Sequence, residues 1–295
     1  MNLDNIKNKI EQRLDEVFKA EELKYQDNPI MLNNVQDFIR LTEGGKRIRG
    51  IMVALGASLN KPLNRHYQDI AVAVEIMQTA ILIHDDIIDK AKTRRGQITI
   101  HAKYKKLGLE KAICVADYGF FLAYQIISDS KISADVKSEV LSILSNTMYN
   151  TVVGEIMDVE LPHQNNPTEK DLTNIYINKT AWYTIIGPML MGAALNKENK
   201  KIQNQIKEFG LNLGIAYQIK DDIISITCED GNKSLDSDIK EGKITKMYLY
   251  TKARLNSKTR QIMYYYGKED APKSAIEKIK TLFKTNDAIK VATKE

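Results

Sequence analysis

Apolar residues recur along nearly the whole chain at intervals of three and four, the period that gathers side chains on one face of an α-helix. Ile6, Ile10, Leu14 and Phe18 define such a face over residues 3–19. Residues 67–90 are apolar on most sides, which predicts a helix buried on most sides. From the capping residue Ser133, the positions Val136, Val140, Leu144, Met148 and Val152 carry a helix to about Leu161, where Pro162 stops it. The loop HQNNPT leads to Thr168, which forms a capping-box pattern with Asp171 and opens a helix containing INKTAWYTIIG. Another helix runs from about Lys197 through IKEFGLNLGIAYQIKDDIISI. Residues 228–245, CEDGNKSLDSDIKEGKIT, are polar and turn-rich and read as a loop with a short broken helix. Strand-like alternation is hard to find. The expected fold is all-α, a single domain over residues 1–295 with on the order of ten or more helices.

Composition agrees. Only 6 prolines, lying far apart, and 15 glycines interrupt the 295 residues, so long helices are favoured and no stretch resembles a flexible linker. The net charge of +5 is mild, and lysines alternate with glutamates as on a solvated helical surface. No basic block is interleaved with aromatics, which argues against a nucleic-acid partner. Cys114 and Cys228 are too few for a disulfide framework or a zinc site and read as buried thiols in a reducing compartment. The N-terminal residues lack the apolar core of a signal peptide. No stretch approaches 18 apolar residues free of charge, so no membrane span is expected and a cytoplasmic location is.

One chemical feature repeats: IHDDIID at 83–89 and IKDDIIS at 219–225. Going back from Asp89, the residues Asp85, Leu82 and Gln78 follow at helical spacing, and Ser225, Asp221, Gln218 and Gly214 do the same in the second copy. Each helix thus carries a polar stripe on an otherwise apolar body. Carboxylates on one turn repel each other, and the cost rises as water is removed. Two such stripes facing one another across a cavity would suit Mg²⁺, which takes one or two carboxylates and completes its shell with water and phosphate oxygens. Basic residues complement them. GGKRIRG places Lys46, Arg47 and Arg49 at a glycine-flanked helix start, where free N–H groups also favour an anion. Arg94 and Arg95 follow the first acidic cluster, and Lys179, Lys233 and Lys243 fall near turns or loops.

These segments, together with VGE at 153–155, NKTA at 178–181, FGLNLGIAYQIKDD and DIKEGKIT, resemble the trans-isoprenyl diphosphate synthases, the polyprenyl synthetase family, in order and approximate spacing over roughly residues 35–250. The resemblance implies helices around a central apolar cavity and a homodimer. It implies Mg²⁺-dependent head-to-tail condensation of isopentenyl diphosphate with an allylic prenyl diphosphate, with three Mg²⁺ ions. On that basis Asp85, Asp89 and Asp221 bind metal. Arg94, Lys179, Thr180, Gln218, Lys233 and Lys243 hold the allylic diphosphate, and Lys46, Arg49, Gln78 and Arg95 hold isopentenyl diphosphate. Asp85, Asp89, Asp221 and Lys179 carry catalysis. The resemblance also assigns chain length to Met77, Ala80 and Ile81, deeper in the cavity. Short-product members carry aromatics near 80 and 81, so Ala80 implies twenty carbons or more; a small residue serving only a helix crossing is the competing reading.

The chain departs from the family pattern in places. Gln78 stands where many members have histidine, Gly50 and Met247 replace usual prolines, and Ser225 replaces the last aspartate of the second motif. That last change leaves two rival readings. Asp221, Ser225 and Glu229 at i, i+4 and i+8 lie within about 80° on a helix and match the metal motif of class I terpene cyclases. Alternatively, the chain is a weakly active subunit of a heteromeric synthase. Retention of GGKRIRG, Gln78 and Arg95 favours the synthase, because a cyclase needs no second diphosphate site. A histidine–aspartate phosphohydrolase is disfavoured, since only four histidines exist and none is suitably spaced from His84.

Overall fold

The computed structural model describes residues 2–227 and 237–294. Lys233, Cys228 and Glu229 lie outside the described residues. In chain order the helices are α1 (Leu3–Lys24), α2 (Pro29–Thr42), α3 (Ile48–Gly56), α4 (Tyr67–Ile88), α5 (Ile100–Lys103), α6 (Gly108–Asp129), α7 (Ala134–Glu160) and α8 (Glu169–Ile175). A π-helical segment, Tyr176–Ile186, follows. Then come α9 (Gly187–Ala194), α10 (Lys200–Thr227), α11 (Ser237–Glu241), α12 (Lys246–Lys252), α13 (Ser257–Met263), α14 (Lys273–Thr285) and α15 (Ala288–Thr293). The described residues fall into two compact units: Met1–Thr147 with Thr184–Lys207, and Met148–Tyr183 with Glu208–Glu295.

In the first unit α4 is the central element. It packs on α1, α2, α3, α6 and α9, and its residues from Ile70 to Met77 are almost wholly removed from solvent. That enclosure explains why its sequence is apolar on most sides instead of along one stripe. Around it the predicted face of α1, Ile6, Ile10, Leu14 and Phe18, is buried as expected. On α7 Val136, Val140 and Leu144 are buried, but farther along the helix Met148 is half-buried and Val152 is 52% exposed, so the predicted face holds only over the first part of that helix. In the second unit Leu172, Tyr176, Ile219, Ile223, Met247, Ile276, Ile279 and Phe283 form a contiguous core. The Thr168–Asp171 capping box is present in full at the start of α8.

Three further features differ from the sequence expectation. Residues 93–98 form a small antiparallel hairpin, β1 (Thr93–Arg94) and β2 (Gln97–Ile98), joined by Arg95 and Gly96 with φ of 52° and 75°. Positive φ at both central residues is the geometry whose twist matches paired strands, here with arginine in place of the usual asparagine or glycine. Residues 176–186 wind as a π-helix, wider than the α-helix that apolar spacing predicts. Cys114 is exposed on α6, not buried, because Ala112, Val115 and Ala116 supply the buried face there. Among the described residues no helix is long and apolar enough to cross a membrane.

Candidate active site

The first acidic cluster sits in the last turn of α4. Asp89 caps the helix, and Lys90 at φ 51° closes it, with the N–H of Ala91 bonded to the carbonyl of Asp86 and that of Lys90 to Ile87. This is the Schellman arrangement with lysine where glycine is usual. A helix C-terminus carries partial negative charge, so three carboxylates there oppose both one another and the dipole. Arg94 is a compensating cation. Arg94, reaching back from the hairpin, donates from Nη2 to Asp85 at 2.7 Å and from Nε to Asp86 at 2.6 Å. Asp86 is only 2% exposed, and burial pushes its carboxyl up to about 6, helped by Asp85 and Asp89 and opposed by Arg94. Burial alone would lower Arg94, but Asp85, Asp86 and Asp89 outweigh it and hold the guanidinium above its ordinary value. Asp85, Asp86 and Asp89 thus lie within one another's fields at the end of α4, with Arg94 bonded to two of them.

The reverse situation holds at the start of α3. Arg47 is its N-cap, so Lys46, Arg47 and Arg49 cluster where the helix end is itself partially positive. Arg49 donates from Nη2 to the buried hydroxyl of Thr184 at 2.9 Å. Arg95 donates to the carbonyl of Glu43 at 3.3 Å. Burial lowers the Arg95 guanidinium, and Arg94, Arg47 and Arg49 lower it further, with Glu75 opposing them. Nearby on α4, the side-chain oxygen of Gln78 is buried without a hydrogen bond. A crowd of guanidiniums is the kind of surface that a polyanion completes.

In the second unit Gly154 on α7 lets the backbone of the next segment come close; a Cβ there would lie 2.3 Å from the amide nitrogen of Lys179. That approach explains the glycine of VGE. Lys179 then sits between Glu155 at 2.8 Å and Asp158 at 2.6 Å, one turn apart on α7. Thr180 donates its hydroxyl to Gln218 Oε1 at 2.6 Å, and Gln218 Nε2 donates to Asp222 at 2.8 Å. Tyr176 donates to the other Asp222 oxygen at 2.5 Å. Burial pushes the Asp222 carboxyl up to about 7, with Asp238 and Asp221 adding and the two hydrogen bonds opposing. Asp221 is exposed. Lys243 lies 3.2 Å from Glu241 and 3.5 Å from Asp238. Ser225 is 8% exposed and donates to the carbonyl of Asp222 at 2.8 Å, along its own helix.

Among the described residues, no three histidine, cysteine, aspartate or glutamate side chains converge into a ready metal cage. Sparse carboxylate oxygens nevertheless fit Mg²⁺, which prefers hard oxygen donors and keeps room for water and phosphate. Sequence reasoning missed Thr184, Tyr176, Asp222, Glu155 and Asp158 as partners. The last two had a legible signal, since Glu155 and Asp158 stand at i, i+3 beside the VGE glycine. Met77 and Ala80 are fully buried at the α4–α6 crossing, where a Cβ on Gly119 would meet both Ala80 and the ring of Phe38 from α2. Ala80 and Gly119 meet at that crossing, and Ile81 is half-buried.

Comparison with known proteins agrees with this chemistry. The polyprenyl synthetase family model matches residues 31–283. Geranylgeranyl diphosphate synthase of Saccharolobus solfataricus is 30% identical, covering 82% of this chain and 73% of the relative. A short chain isoprenyl diphosphate synthase of Methanocaldococcus jannaschii is also 30% identical, covering 91% and 81%. The same fold is found in geranylgeranyl pyrophosphate synthase of Corynebacterium glutamicum, solved with isoprenyl diphosphate and magnesium: TM-score 0.91, 24% identity, 99% of this chain and 89% of that one. The chain belongs to the polyprenyl synthetase family and is a prenyltransferase.

Proposed function

We propose that this prenyltransferase joins isopentenyl diphosphate head-to-tail to an allylic prenyl diphosphate and releases a linear product of twenty carbons or more. The observation that carries the reading is Arg95, whose guanidinium is lowered by burial and by Arg94, Arg47 and Arg49: a cationic crowd that extends beyond the one arginine bonded to the acid-rich end of α4. A protein that only ionised one allylic diphosphate would need metal-binding acids but no second anion site. Lys46, Arg49, Gln78 and Arg95 hold isopentenyl diphosphate. Arg94, Lys179, Thr180, Gln218, Lys233 and Lys243 hold the allylic diphosphate, and Asp85, Asp89 and Asp221 hold Mg²⁺, three ions in all. Bound Mg²⁺ supplies positive charge to the departing diphosphate.

The residues themselves do the rest. Asp85 would hold Mg²⁺, and Arg94, which reaches that carboxylate here, would then turn to the diphosphate. Lys179, already set between Glu155 and Asp158, adds a proton-bearing cation at the leaving oxygens. The bond from the allylic carbon to diphosphate breaks, the isopentenyl double bond attacks that carbon, and the released diphosphate takes the proton lost from the new chain. No side-chain nucleophile is needed. Met77, Ala80 and Ile81 set product length, and the names of the geranylgeranyl relatives support twenty carbons or more. The exposed Ile113 and Phe121 on α6, the latter 72% exposed, support a homodimer, and a cytoplasmic location belongs to the same proposal.

Incubation of the purified chain with Mg²⁺, isopentenyl diphosphate and allylic primers of increasing length, with products identified by mass, tests the proposal. Elongated linear diphosphates are expected. Cyclic hydrocarbons formed without isopentenyl diphosphate would replace it with the cyclase reading, and activity only with a second chain with the heteromeric one.

A further inference from the structure

Arg47 behaves unlike its neighbours in the Gly44–Gly50 segment. Lys46 is exposed and Arg49 half-buried, but Arg47 is 5% exposed and its backbone lies at φ 55°, ψ 34°. A residue with a Cβ adopts that left-handed conformation rarely, so its surroundings must hold it there. The side chain shows how. Nε and Nη2 donate to the two carboxylate oxygens of Glu11 on α1, at 2.8 and 3.0 Å. Nη1 donates to the carbonyl of Thr42 at 2.8 Å and lies 3.7 Å from Glu75 on α4. The other oxygen of Glu75 accepts the N–H of Gly50 at 2.8 Å, one of the donors that α3 leaves without an intrahelical partner. Gly45 leaves the space this requires, since a Cβ there would fall 2.5 Å from Arg47 Nη1.

We propose that Arg47, with Glu11 and Glu75, positions the isopentenyl diphosphate site: the buried guanidinium fixes the backbone between Lys46 and Arg49 so that both reach one anion. This rests on the reading that Lys46 and Arg49 bind isopentenyl diphosphate. The N-terminal helix α1 is then part of substrate recognition without touching substrate. A two-pronged arginine–carboxylate pair sets direction as well as distance, which a lysine ammonium cannot do.

Calorimetric titration of isopentenyl diphosphate into the full chain without divalent ions, beside steady-state kinetics with Mg²⁺, tests it. Arg47→Lys is expected to raise both Kd and KM for isopentenyl diphosphate about tenfold and Glu11→Gln about threefold, with kcat and the allylic KM within about twofold of wild type. The Glu11 side chain is 37% exposed, so its variant keeps the fold even where Arg47→Lys does not. Unchanged affinity in Glu11→Gln, or a loss falling equally on both substrates, overturns the inference. A wild-type chain that neither binds nor consumes isopentenyl diphosphate overturns the functional reading instead. Wild-type binding matched by Glu11→Gln overturns the positioning role alone.

Discussion

The two DDII segments are nearly the same sequence in two different electrostatic settings. At the end of α4, Asp86 is buried against a guanidinium, and its neighbour Asp85 shares that arginine. On α10, Asp222 is held by neutral donors, the Tyr176 hydroxyl and the Gln218 amide. In both copies one aspartate of the doublet is the more enclosed and takes hydrogen bonds within its own unit. The first aspartate, Asp85 or Asp221, is the one that the proposed function gives to the metal. The difference is what compensates the enclosed charge. A charged hydrogen bond is worth roughly twice a neutral one, which accords with a carboxyl raised to about 6 beside Arg94 and to about 7 without such a partner.

That contrast breaks most completely at Arg94. Arg94→Met removes the guanidinium bonded to Asp85 and Asp86 and leaves a buried charge unpaired, a loss of about 3–5 kcal/mol in comparable cases. Urea denaturation should show a destabilisation of at least about 2 kcal/mol, because Asp86 can take up a proton in part. Turnover should fall by about a thousandfold if, as proposed, the same arginine binds the leaving diphosphate. Preserved stability would mean that the pairing is incidental.

Smaller and more diagnostic is the pair Asp86→Asn and Asp222→Asn. The first replaces a charged bond to Arg94 and should cost about 2 kcal/mol; the second keeps a hydrogen bond from Tyr176 but sets two amide donors near each other, costing about 1 kcal/mol. Equal costs in denaturation would erase the distinction drawn between the two settings.

Acidity resolves the same two residues without changing the backbone. Both carboxyls are raised above 3.8, so between that value and about 6 for Asp86, or about 7 for Asp222, the folded chain binds more protons than the unfolded one. Their contribution to stability is therefore present at low pH and is lost as pH climbs through those windows. With divalent ions removed by chelation, Asp222→Asn should flatten the fall in melting temperature up to about pH 7, and Asp86→Asn only up to about pH 6. The comparison with wild type cancels groups shifted the other way, such as Asp37, which Lys103 and Tyr104 hold below the ordinary range. A fall that survives unchanged in both variants would assign it elsewhere.

The acid doublets, the cationic helix start at α3 and the helices α1, α4, α7, α8 and α10 were legible because each rests on local spacing or on residue type. Partners that come from far along the chain were not. Little within a few residues of Arg94 says that a two-residue turn with positive φ will fold it back onto Asp85 and Asp86; RRG supplies the second-position glycine, Gly96, but has arginine where asparagine, aspartate or glycine usually comes first. Nothing near Asp222 points to Tyr176, which is 46 positions away. The π-helical winding at 176–186 escaped for a different reason: an apolar pattern read over three turns looks alike for helices of slightly different pitch.

Ser225 offers the smallest change and the finest test of how far the two copies can be made alike. On α4 the position four residues after Asp85 is Asp89; on α10 it is Ser225, whose hydroxyl is turned onto the carbonyl of Asp222. Ser225→Asp would restore an i, i+4 carboxylate pair with Asp221 on one helical face. Without metal that pair repels by a few tenths of a kcal/mol, and burial of the new acid adds to this, so melting should drop by a few degrees. With Mg²⁺ the sign reverses, because the added carboxylate lies on the face that presents Asp221 to the ion. The Mg²⁺ concentration for half-maximal turnover should fall about threefold, with KM for isopentenyl diphosphate unmoved. An unchanged Mg²⁺ requirement would remove Ser225 from the metal side of α10. A rise in that requirement would mean that the serine hydroxyl itself serves the ion, which is the arrangement the cyclase motif calls for.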